Sequence, residues 1–431
     1  MQAVATTDPG GTMSEISPKF GCESWRLFAT GDIQFSPSGT LPTGSWLDSD
    51  LASTFRNADL TLGNLEAPIE SDGDLLAKSG VAIQTHPETA TALSEYGFDV
   101  VSLANNHVMD HGEVGLQTTV EELDGHGIAH SGAGATHDEA VDPAVGTVGD
   151  VDVAVLSFCE REFGVAGPET AGAAWISHPE IPLVVSACSE RYDLTVVMAH
   201  GGIMDLPIPP AQRQRQLRTL VDAGADAVLG HHPHVAQGYE RYRGAPICYS
   251  LGDFSFDVSG DARGRDWGLV AEIECSGSDV TGVELHPVYS EGARVSLADG
   301  DDRTQYREYI ETLRDIVEDR ATLQRYWRRV ASDKFVKHYS RPLANFFYRN
   351  LPCTVRHPVT YRDLWESEST KDDVRWFLNR VRNESHRWLI LTALAAATGE
   401  KPEPTSGDDD LPLDDLLARV DYSYHWSKEH L

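Results

Sequence analysis

The amino-acid sequence predicts an α/β fold with a C-terminal α-helical extension. Five short apolar runs are each followed at once by Gly, Asn, Asp or His, and the stretches between them show helical spacing and helix caps. Runs this short and apolar are typical of parallel strands buried on both faces. From about residue 300 the apolar residues recur at long helical spacing, which predicts helices that pack on the sheet-bearing domain or on a partner subunit.

The first two apolar runs lead into carboxylates. The run 25–31 is followed by Asp32, and the run 60–65 is followed by Glu66. Because ligands of open α/β sheets bind at the carboxyl ends of the strands, both side chains are candidate site residues. The alternative for Asp32 is a helix or turn cap.

The third and fourth runs lead into amides and imidazoles. The run 99–105 is followed by Asn106 and His107, with Asp110 three residues beyond His107. The fourth run is followed by His200. These side chains join the candidate site, since all of these strands are expected to end at the same crevice.

The fifth run, 228–230, precedes three histidines within four positions: His231, His232 and His234. Imidazole is the commonest protein metal ligand, and its neutral nitrogen suits Mn, Fe, Zn or Co better than Mg or Ca. The alternative is a hydrogen-bonded loop, and His231 alone is equally compatible with a structural role.

Together these residue types indicate a site for one or two divalent metal ions. Two ions about 3.5 to 4 Å apart can clamp the oxygens of a phosphate undergoing in-line attack. Such a centre needs a few carboxylates for charge and several neutral nitrogens or amide oxygens. The candidate metal ligands are Asp32, Glu66, Asn106, His200, His232 and His234. Mn, Fe or Zn is the expected metal.

In these motifs the chain resembles the capsule-synthesis CapA family, which is similar in turn to the calcineurin-like metallophosphoesterases. The resemblance covers roughly residues 25 to 290 and rests on the order of the motifs. The matching segments are Gly31-Asp32, Asn64-Leu65-Glu66, 102–107 with Asp110 and Gly112, His200-Gly201, 224–234 and 249–254. The resemblance implies a metallophosphoesterase-like layered β-sandwich flanked by helices.

The resemblance also implies a role for each candidate. Asp32 and His234 would serve one metal, Asn106, His200 and His232 the other, and Glu66 would be the bridging or terminal carboxylate. His107 would be the outer catalytic imidazole, which protonates the leaving oxygen or stabilises charge on the phosphoryl group. Asp110 would orient His107.

Two departures from the related families bear on these expectations. Gln34 stands where the phosphoesterases usually have a histidine, so metal binding there would be weaker or completed by water. Asp253 stands where an asparagine is more typical of the CapA pattern, and we expect it to touch the substrate pocket rather than the metals.

The leading functional hypothesis is a metal-dependent phosphoesterase with a role in poly-γ-glutamate or capsule synthesis. A non-catalytic binding or assembly factor for polymer synthesis or export is the alternative, which Gln34 favours. A metal-dependent amide hydrolase acting on a γ-glutamyl polymer is a third possibility. The Asn106-His107 pair favours an enzyme.

Composition limits the partners. Lys plus Arg total 35 against 67 Asp plus Glu, a formal net charge of -32. This charge argues against nucleic acid or an anionic membrane surface as the main partner. It suits a protein from high salt, where screening suppresses self-repulsion. The expected partner is a small-molecule or polymer substrate, either a phosphoester or a γ-glutamyl chain, and the oligomeric state is left open.

The sequence pattern divides the chain into three parts. Residues 1–22 are expected to be a disordered lead-in, 23–295 the metallophosphoesterase-like domain, and 300–431 a helical region with an acidic linker near 401–412. No apolar stretch has the length of a membrane span, and no secretory signal pattern is evident. Six cysteines without paired spacing favour buried free thiols. We therefore expect a cytoplasmic protein. Arg213 and its neighbours on a predicted helix are expected to form a solvated face.

Overall fold

A computed structural model describes residues 14–17, 24–38, 41, 46–256, 266–291, 294–343, 368–398 and 416–417. The strands in these ranges are β1 (Ser24–Gln34), β2 (Leu60–Leu65), β3 (Val100–Ser102), β4 (Ala129–Ser131), β5 (Ala133–Gly134), β6 (Ala144–Val148), β7 (Val151–Cys159), β8 (Gly172–Ala173), β9 (Leu194–His200), β10 (Ala227–His231), β11 (Tyr239–Tyr242), β12 (Ala245–Cys248), β13 (Asp253–Phe256), β14 (Trp267–Ser276), β15 (Asp279–Glu291) and β16 (Arg294–Leu297).

The helices in the same ranges are α1 (Ser49–Arg56), α2 (Thr89–Glu95), α3 (Gly112–Gly125), α4 (His137–Ala140), α5 (Ile181–Arg191), α6 (Ala211–Asp222), α7 (Gly300–Glu318), α8 (Arg320–Lys334), α9 (Glu368–Arg382) and α10 (Glu384–Ala397). A π-helical turn, Phe335–Tyr339, continues α8. Polar side chains cap several helix starts, because the first amide N–H groups of a helix lack partners within it. Asp48 accepts from the amides of Asp50 and Leu51 before α1, and Asn383 accepts from the amide of His386 before α10.

Two sheets contain most of the strands. The first sheet has the order β16-β15-β14-β1-β2-β3-β4, with β13 also paired to β1. The second sheet has the order β11-β12-β10-β9-β7-β6. The central strands β1, β2, β3 and β4 are mutually parallel, as are β7, β9, β10 and β12. The strands that end near the candidate site are therefore parallel and buried, as their apolar composition predicts.

The two sheets pack face to face and are covered by helices on their outer faces. Leu62 of the first sheet and Met198 of the second belong to the apolar core that contains residues of both sheets. Phe55 of α1 packs on the outer face of the first sheet, and Leu217 of α6 packs on the outer face of the second. The predicted layered α/β sandwich is confirmed.

The predicted C-terminal helices are also confirmed. Their buried aromatic residues belong to the same core as the sheets: the Trp267 ring of β14 stacks on Tyr306 of α7, with ring centroids 4.3 Å apart. Trp327 Nε1 of α8 donates to Thr392 Oγ1 of α10 at 3.1 Å. Among the described residues, no helix combines the length and apolar composition needed to cross a bilayer.

Part of the predicted lead-in is ordered. Glu15 forms a β-bridge with Val145, and Ile16 is buried in the core between the sheets, so the disorder predicted for residues 1–22 is wrong for residues 14–17. The rest of that segment and the predicted acidic linker lie outside the described residues. The four described cysteines, Cys159, Cys188, Cys248 and Cys275, are buried free thiols, as predicted.

Candidate metal centre

The carboxyl ends of the parallel strands bring the predicted ligands together. In the first sheet, Asp32 pairs in register with Asn64 of β2 and with Asp253 of β13. In the second sheet, His200 at the end of β9 pairs with His231 at the end of β10. The six predicted ligands meet where these two sets of strand ends face each other.

A glycine allows the strands to approach closely at this point. The amide of Asp32 donates to the carbonyl oxygen of Gly252 at 2.9 Å. A Cβ atom on Gly31 would lie 2.0 Å from that same oxygen, a distance no side chain tolerates. Gly31 therefore lets β1 approach the segment before β13, and this contact brings Asp32 beside Asp253.

Three buried carboxylates line one side of the centre. Asp32, Glu66 and Asp253 are each 2% exposed or less. Burial raises the pKa of Asp32 to about 6; the charge of Asp253 adds to the increase, whereas His231 and Glu66 oppose it. A divalent cation would favour the ionised form of these carboxylates, since it offsets both their burial and their mutual repulsion.

Imidazole nitrogens line the other side. His200 Nε2 lies 3.1 Å from His232 Nδ1, 2.9 Å from Asn106 Oδ1 and 3.6 Å from Glu66 Oε1. Burial and the neighbouring imidazoles hold the pKa of His200 well below its usual value, and burial lowers the pKa of His232 to about 3. Both rings are therefore neutral at pH 7, the form in which imidazole binds metals.

Most of these atoms are spaced as ligands of a metal ion are, and His234 offers a different nitrogen to each of two sets of neighbours. Ligand atoms about 2.0–2.2 Å from one metal lie roughly 3.0–3.6 Å from each other. His234 Nδ1 lies 2.8 Å from Asp253 Oδ1 and 3.6 Å from Asp32 Oδ2, and His234 Nε2 lies 3.5 Å from Glu66 Oε1. At this centre, three groups of side chains have possible ligand atoms within 4.8 Å of one another: Glu66 with His232 and His234, Asp32 with Glu66 and His200, and Asp32 with His234 and Asp253.

Asn64 supplies a further donor that the sequence reasoning did not assign to the centre. Its Nδ2 donates to Asp32 Oδ1 at 2.8 Å, and its Oδ1 is buried without a hydrogen-bond partner among the described residues. A buried carbonyl oxygen without a partner is costly unless a ligand or water satisfies it. The donor set as a whole, with carboxylate, imidazole and amide groups, fits a divalent transition metal.

The backbone is strained at two of the candidate ligands. His232 has a φ of 95° and His234 a φ of 58°, the left-handed region that non-glycine residues rarely adopt. The strain is partly offset because the amide of His232 donates to Asp32 Oδ2 at 3.1 Å. Strained residues of this kind cluster at functional sites.

His107 and Asp110 lie beside the ligands, as the sequence predicts for a catalytic pair. His107 Nδ1 lies 2.7 Å from Asp110 Oδ2, and His107 is close enough to His200 and His232 to influence their protonation. Lys78, which the sequence reasoning missed, forms an ion pair with Asp110 and lies 3.1 Å from His107 Nδ1. Burial alone would raise the pKa of Asp110, but the charges of His107 and Lys78 and their hydrogen bonds outweigh burial and lower the pKa.

One of the neighbouring residues differs from expectation. Asp253 lies among the candidate ligands and contacts His234, whereas we expected it to touch only the substrate pocket. Gln34 Nε2 donates to Gln84 O at 2.8 Å, and Gln34 Oε1 is buried without a hydrogen-bond partner among the described residues. His231 Nε2 lies 3.0 Å from Thr30 O, a structural contact.

The prediction that Arg213 lies on a solvated helix face is wrong. It is 1% exposed rather than solvated, because α6 packs on the second sheet and Arg213 Nη2 donates to Ala199 O at 2.9 Å. Its Nη1 lies 3.6 Å from Glu160 Oε1. The amide of Glu160 in turn donates to the carbonyl oxygen of His200 at 2.9 Å, so this buried pair supports the end of β9.

Fold and site together define a two-sheet α/β protein with a candidate divalent-metal centre at its strand ends. Residues 26–258 match the family described as "Bacterial capsule synthesis protein PGA_cap", and the chain belongs to this family. The resemblance found in the motifs is confirmed.

Curated relatives match little more than half of the chain. It is 34% identical over 241 residues to "PGA biosynthesis protein CapA" of Bacillus subtilis, a match covering 54% of this chain and 63% of that one. It is 32% identical over 225 residues to "Capsule biosynthesis protein CapA" of Bacillus anthracis, covering 50% and 54%. The chain thus spans less than two thirds of the length of these relatives.

Solved structures match this chain over part of its length. A hypothetical protein from Thermus thermophilus has a TM-score of 0.42 at 16% identity, covering 62% of this chain and all of that one. The 5'-nucleotidase from Candida albicans has a TM-score of 0.38 at 11% identity, covering 72% and 59%.

Proposed function

We propose that the protein is a metal-dependent hydrolase that cleaves a phosphoester in the synthesis of a capsule polymer such as poly-γ-glutamate. One observation carries the proposal: buried carboxylates, imidazoles and amides converge at the strand ends with His107 and Asp110 beside them. The names of the relatives, which refer to PGA and capsule biosynthesis, support the biological role.

Each group has a defined task in this proposal. Asp32, Glu66, Asn106, His200, His232 and His234 would hold the metal, together with Asn64 and Asp253. Bound divalent ions, with Mn, Fe or Zn favoured by the donors, would supply Lewis acidity toward a phosphoryl group. With Nδ1 hydrogen-bonded to Asp110, His107 has Nε2 left to carry a proton to the leaving oxygen. Lys78 keeps Asp110 ionised, and Asp110 thereby orients the ring.

A second candidate is a metal-binding assembly factor without hydrolytic activity. The observation that favours it is Gln34, whose amide nitrogen is engaged by Gln84 O where related phosphoesterases have a histidine. The same donor set could also serve hydrolysis of a γ-glutamyl amide, because a metal can polarise a carbonyl as well as a phosphoryl oxygen.

The test combines metal analysis with two activity assays. Bound Mn, Fe and Zn are measured by mass spectrometry for the wild type, for His232→Ala/His234→Ala and for the control His126→Ala, all in matched salt. We expect metal in the wild type and the control and a clear loss in the double variant. His126 is a suitable control because it contacts Thr91 and Glu122 of the surface helices.

The metal-loaded protein is then assayed with bis(4-nitrophenyl) phosphate and with poly-γ-glutamate. Phosphoester cleavage that the double variant lacks supports the proposal. Release of glutamate without phosphoester cleavage would instead identify an amide hydrolase. Bound metal without cleavage of either substrate would instead identify an assembly factor. A folded wild type that binds no metal contradicts the metal-dependent mechanism.

A further inference from the structure

Residues 320–387, within the C-terminal helical region, have a net charge opposite to that of the chain as a whole. Residues 320–387 contain 15 Lys and Arg against 7 Asp and Glu, whereas the whole chain has 35 against 67. The family match ends at residue 258, well before this segment. A basic segment in so acidic a protein indicates an anionic ligand if its side chains lie near the metal centre.

The start of α10 lies directly behind a candidate ligand. Ser385 donates from its amide to Glu160 Oε2 at 3.2 Å and from its hydroxyl to Glu160 Oε1 at 2.7 Å. Glu160 bonds through its amide to the carbonyl oxygen of His200. Glu384 accepts from the amide of Arg161 at 3.0 Å and from Trp175 Nε1 at 2.7 Å. These bonds fix the α9–α10 junction beside the metal centre.

Arg380 contacts the imidazole of His386. Its Nη1 lies 3.2 Å from His386 Nε2, and His386 Nδ1 lies 2.6 Å from the Tyr339 hydroxyl. His232 is close enough to His386 to contribute, together with burial, to the lowered pKa of His386. The Nε of Arg380 is buried and, among the described residues, has no hydrogen-bond partner.

Arg382 lies beside a second guanidinium. Its Cζ is 4.0 Å from the centre of the Phe163 ring, and it interacts electrostatically with Arg161 and with Glu162. Glu162 also acts on His232, which indicates that this cluster adjoins the metal centre. The Nε and Nη2 of Arg382 are buried without a hydrogen-bond partner in the described part of the chain.

An arginine that only stabilises a helix end can donate to backbone carbonyl oxygens there. Arg387 does so: its Nη1 donates to the carbonyl oxygens of Val381 and Arg382, both at 3.1 Å. Arg382 instead retains two buried donors beside the like charge of Arg161, which is costly unless an anion joins the two guanidinium groups. A carboxylate or phosphate accepts two parallel N–H bonds from such a fork.

We propose that Arg161 and Arg382 form an anion subsite beside the metal centre that holds a carboxylate or phosphate group of the substrate remote from the bond that is cleaved. The proposal rests on the proposed function for the identity of the substrate, but anion binding itself does not depend on turnover. The subsite would give the C-terminal helices a part in substrate recognition.

Binding is measured by calorimetry on the full-length metal-loaded protein, and again after chelation, in matched salt. The probes are inorganic phosphate and a γ-linked glutamate pentamer. Arg382→Gln and Arg161→Gln are compared with Arg320→Gln, an exposed arginine at the opposite end of α8 from Tyr339. Arg382→Lys keeps the charge but loses the two parallel N–H donors of the guanidinium group. Thermal unfolding verifies that each variant is folded.

We expect Arg382→Gln and Arg161→Gln to weaken binding by about tenfold or more, the effect of losing charge-assisted hydrogen bonds, with metal content unchanged. Arg320→Gln should change the affinity for the probe by less than about twofold. Arg382→Lys should weaken binding less than Arg382→Gln but more than Arg320→Gln. Binding of the pentamer alone identifies a carboxylate subsite, and binding of phosphate alone a phosphate subsite.

Failure of this proposal is distinct from failure of the proposed function. Variants that bind like the wild type, or a wild type that binds neither probe at millimolar concentration, would overturn the subsite even if phosphoesters are cleaved. Arginine-dependent binding without any hydrolysis would leave the subsite standing and count against the enzyme.

Discussion

His232 Nδ1 lies 3.1 Å from His200 Nε2, although 32 positions separate the two residues in the chain. The register of β9 and β10 explains this: it pairs His200 with His231 and so brings the next residue beside His200. Because both rings are neutral at pH 7, no charges repel each other where the two nitrogens meet. A metal ion could bind both nitrogens if each ring carried its proton on the other nitrogen.

Metal removal should destabilise the protein. Asp32, Glu66 and Asp253 are buried together, so the loss of a cation restores their repulsion. Chelation should lower the midpoint of thermal unfolding, by an amount equivalent to about 2.7 kcal/mol if the free metal had stood at 100 times its dissociation constant. His234→Ala should show a much smaller change on chelation. Identical unfolding of the wild type with and without chelator would contradict a bound metal.

Replacement of His107 should affect chemistry more than binding. We expect His107→Gln to lower kcat by about 10² to 10⁴ with little change in KM or metal content, because a general acid acts in the transition state. The loss should be larger for an alkyl phosphoester than for a 4-nitrophenyl ester, which needs no protonated leaving group. His111→Gln is the control, since His111 Nδ1 contacts Gly73 O instead. An equal loss for both esters would argue against proton transfer by His107.

Glu160 should make stability depend on pH. Burial raises its pKa from 4.5 to about 7 against the opposing charge of Arg213. The folded state therefore holds the proton more tightly than the unfolded state, and stability falls as pH rises between those values, by at most roughly 3 kcal/mol.

The measurement is urea unfolding of metal-free protein at about pH 5 and about pH 8. Glu160→Gln cannot ionise and should lose less stability across this interval than the wild type. Glu169→Gln, at an exposed position, should behave like the wild type. The same pH dependence in all three proteins would mean that Glu160 does not carry it.

The close approach at Gly31 should tolerate no side chain. Gly31→Ala is expected to destabilise the fold by about 3 kcal/mol or more, because its Cβ would overlap the backbone oxygen of Gly252. Gly125→Ala, where nothing lies within 4 Å of the added Cβ, should shift stability by less than about 1 kcal/mol. Equal unfolding midpoints for the two variants would disprove the contact.

The strands and most of the candidate site follow from local sequence. Asp32, His200 and His232 are recognisable because each comes directly after an apolar run, and parallel strands end at the same edge of a sheet. Whether these residues bind metal stays a prediction, but their convergence needs only the order of apolar runs and polar residues along the chain.

The remaining site residues depend on tertiary contacts that no local pattern carries. Asn64 lies within β2, and Asp253 begins a strand instead of ending one. Lys78 comes from the irregular segment between β2 and α2, which has no periodicity to read. Arg213 lies in an amphipathic helix where charge usually marks the solvent face, and only the packing of α6 shows that it is buried.

The division of the donors between the sheets has a consequence for synthesis of the chain. Asp32, Glu66 and Asp253 belong to the strand ends of the first sheet, whereas His200, His232 and His234 follow strands of the second. During translation the ribosome releases two of the acidic residues long before the first of the three histidines. The complete donor set exists only once residue 253 has emerged and the two layers have docked, so a metal bound by the whole set would be acquired late in synthesis.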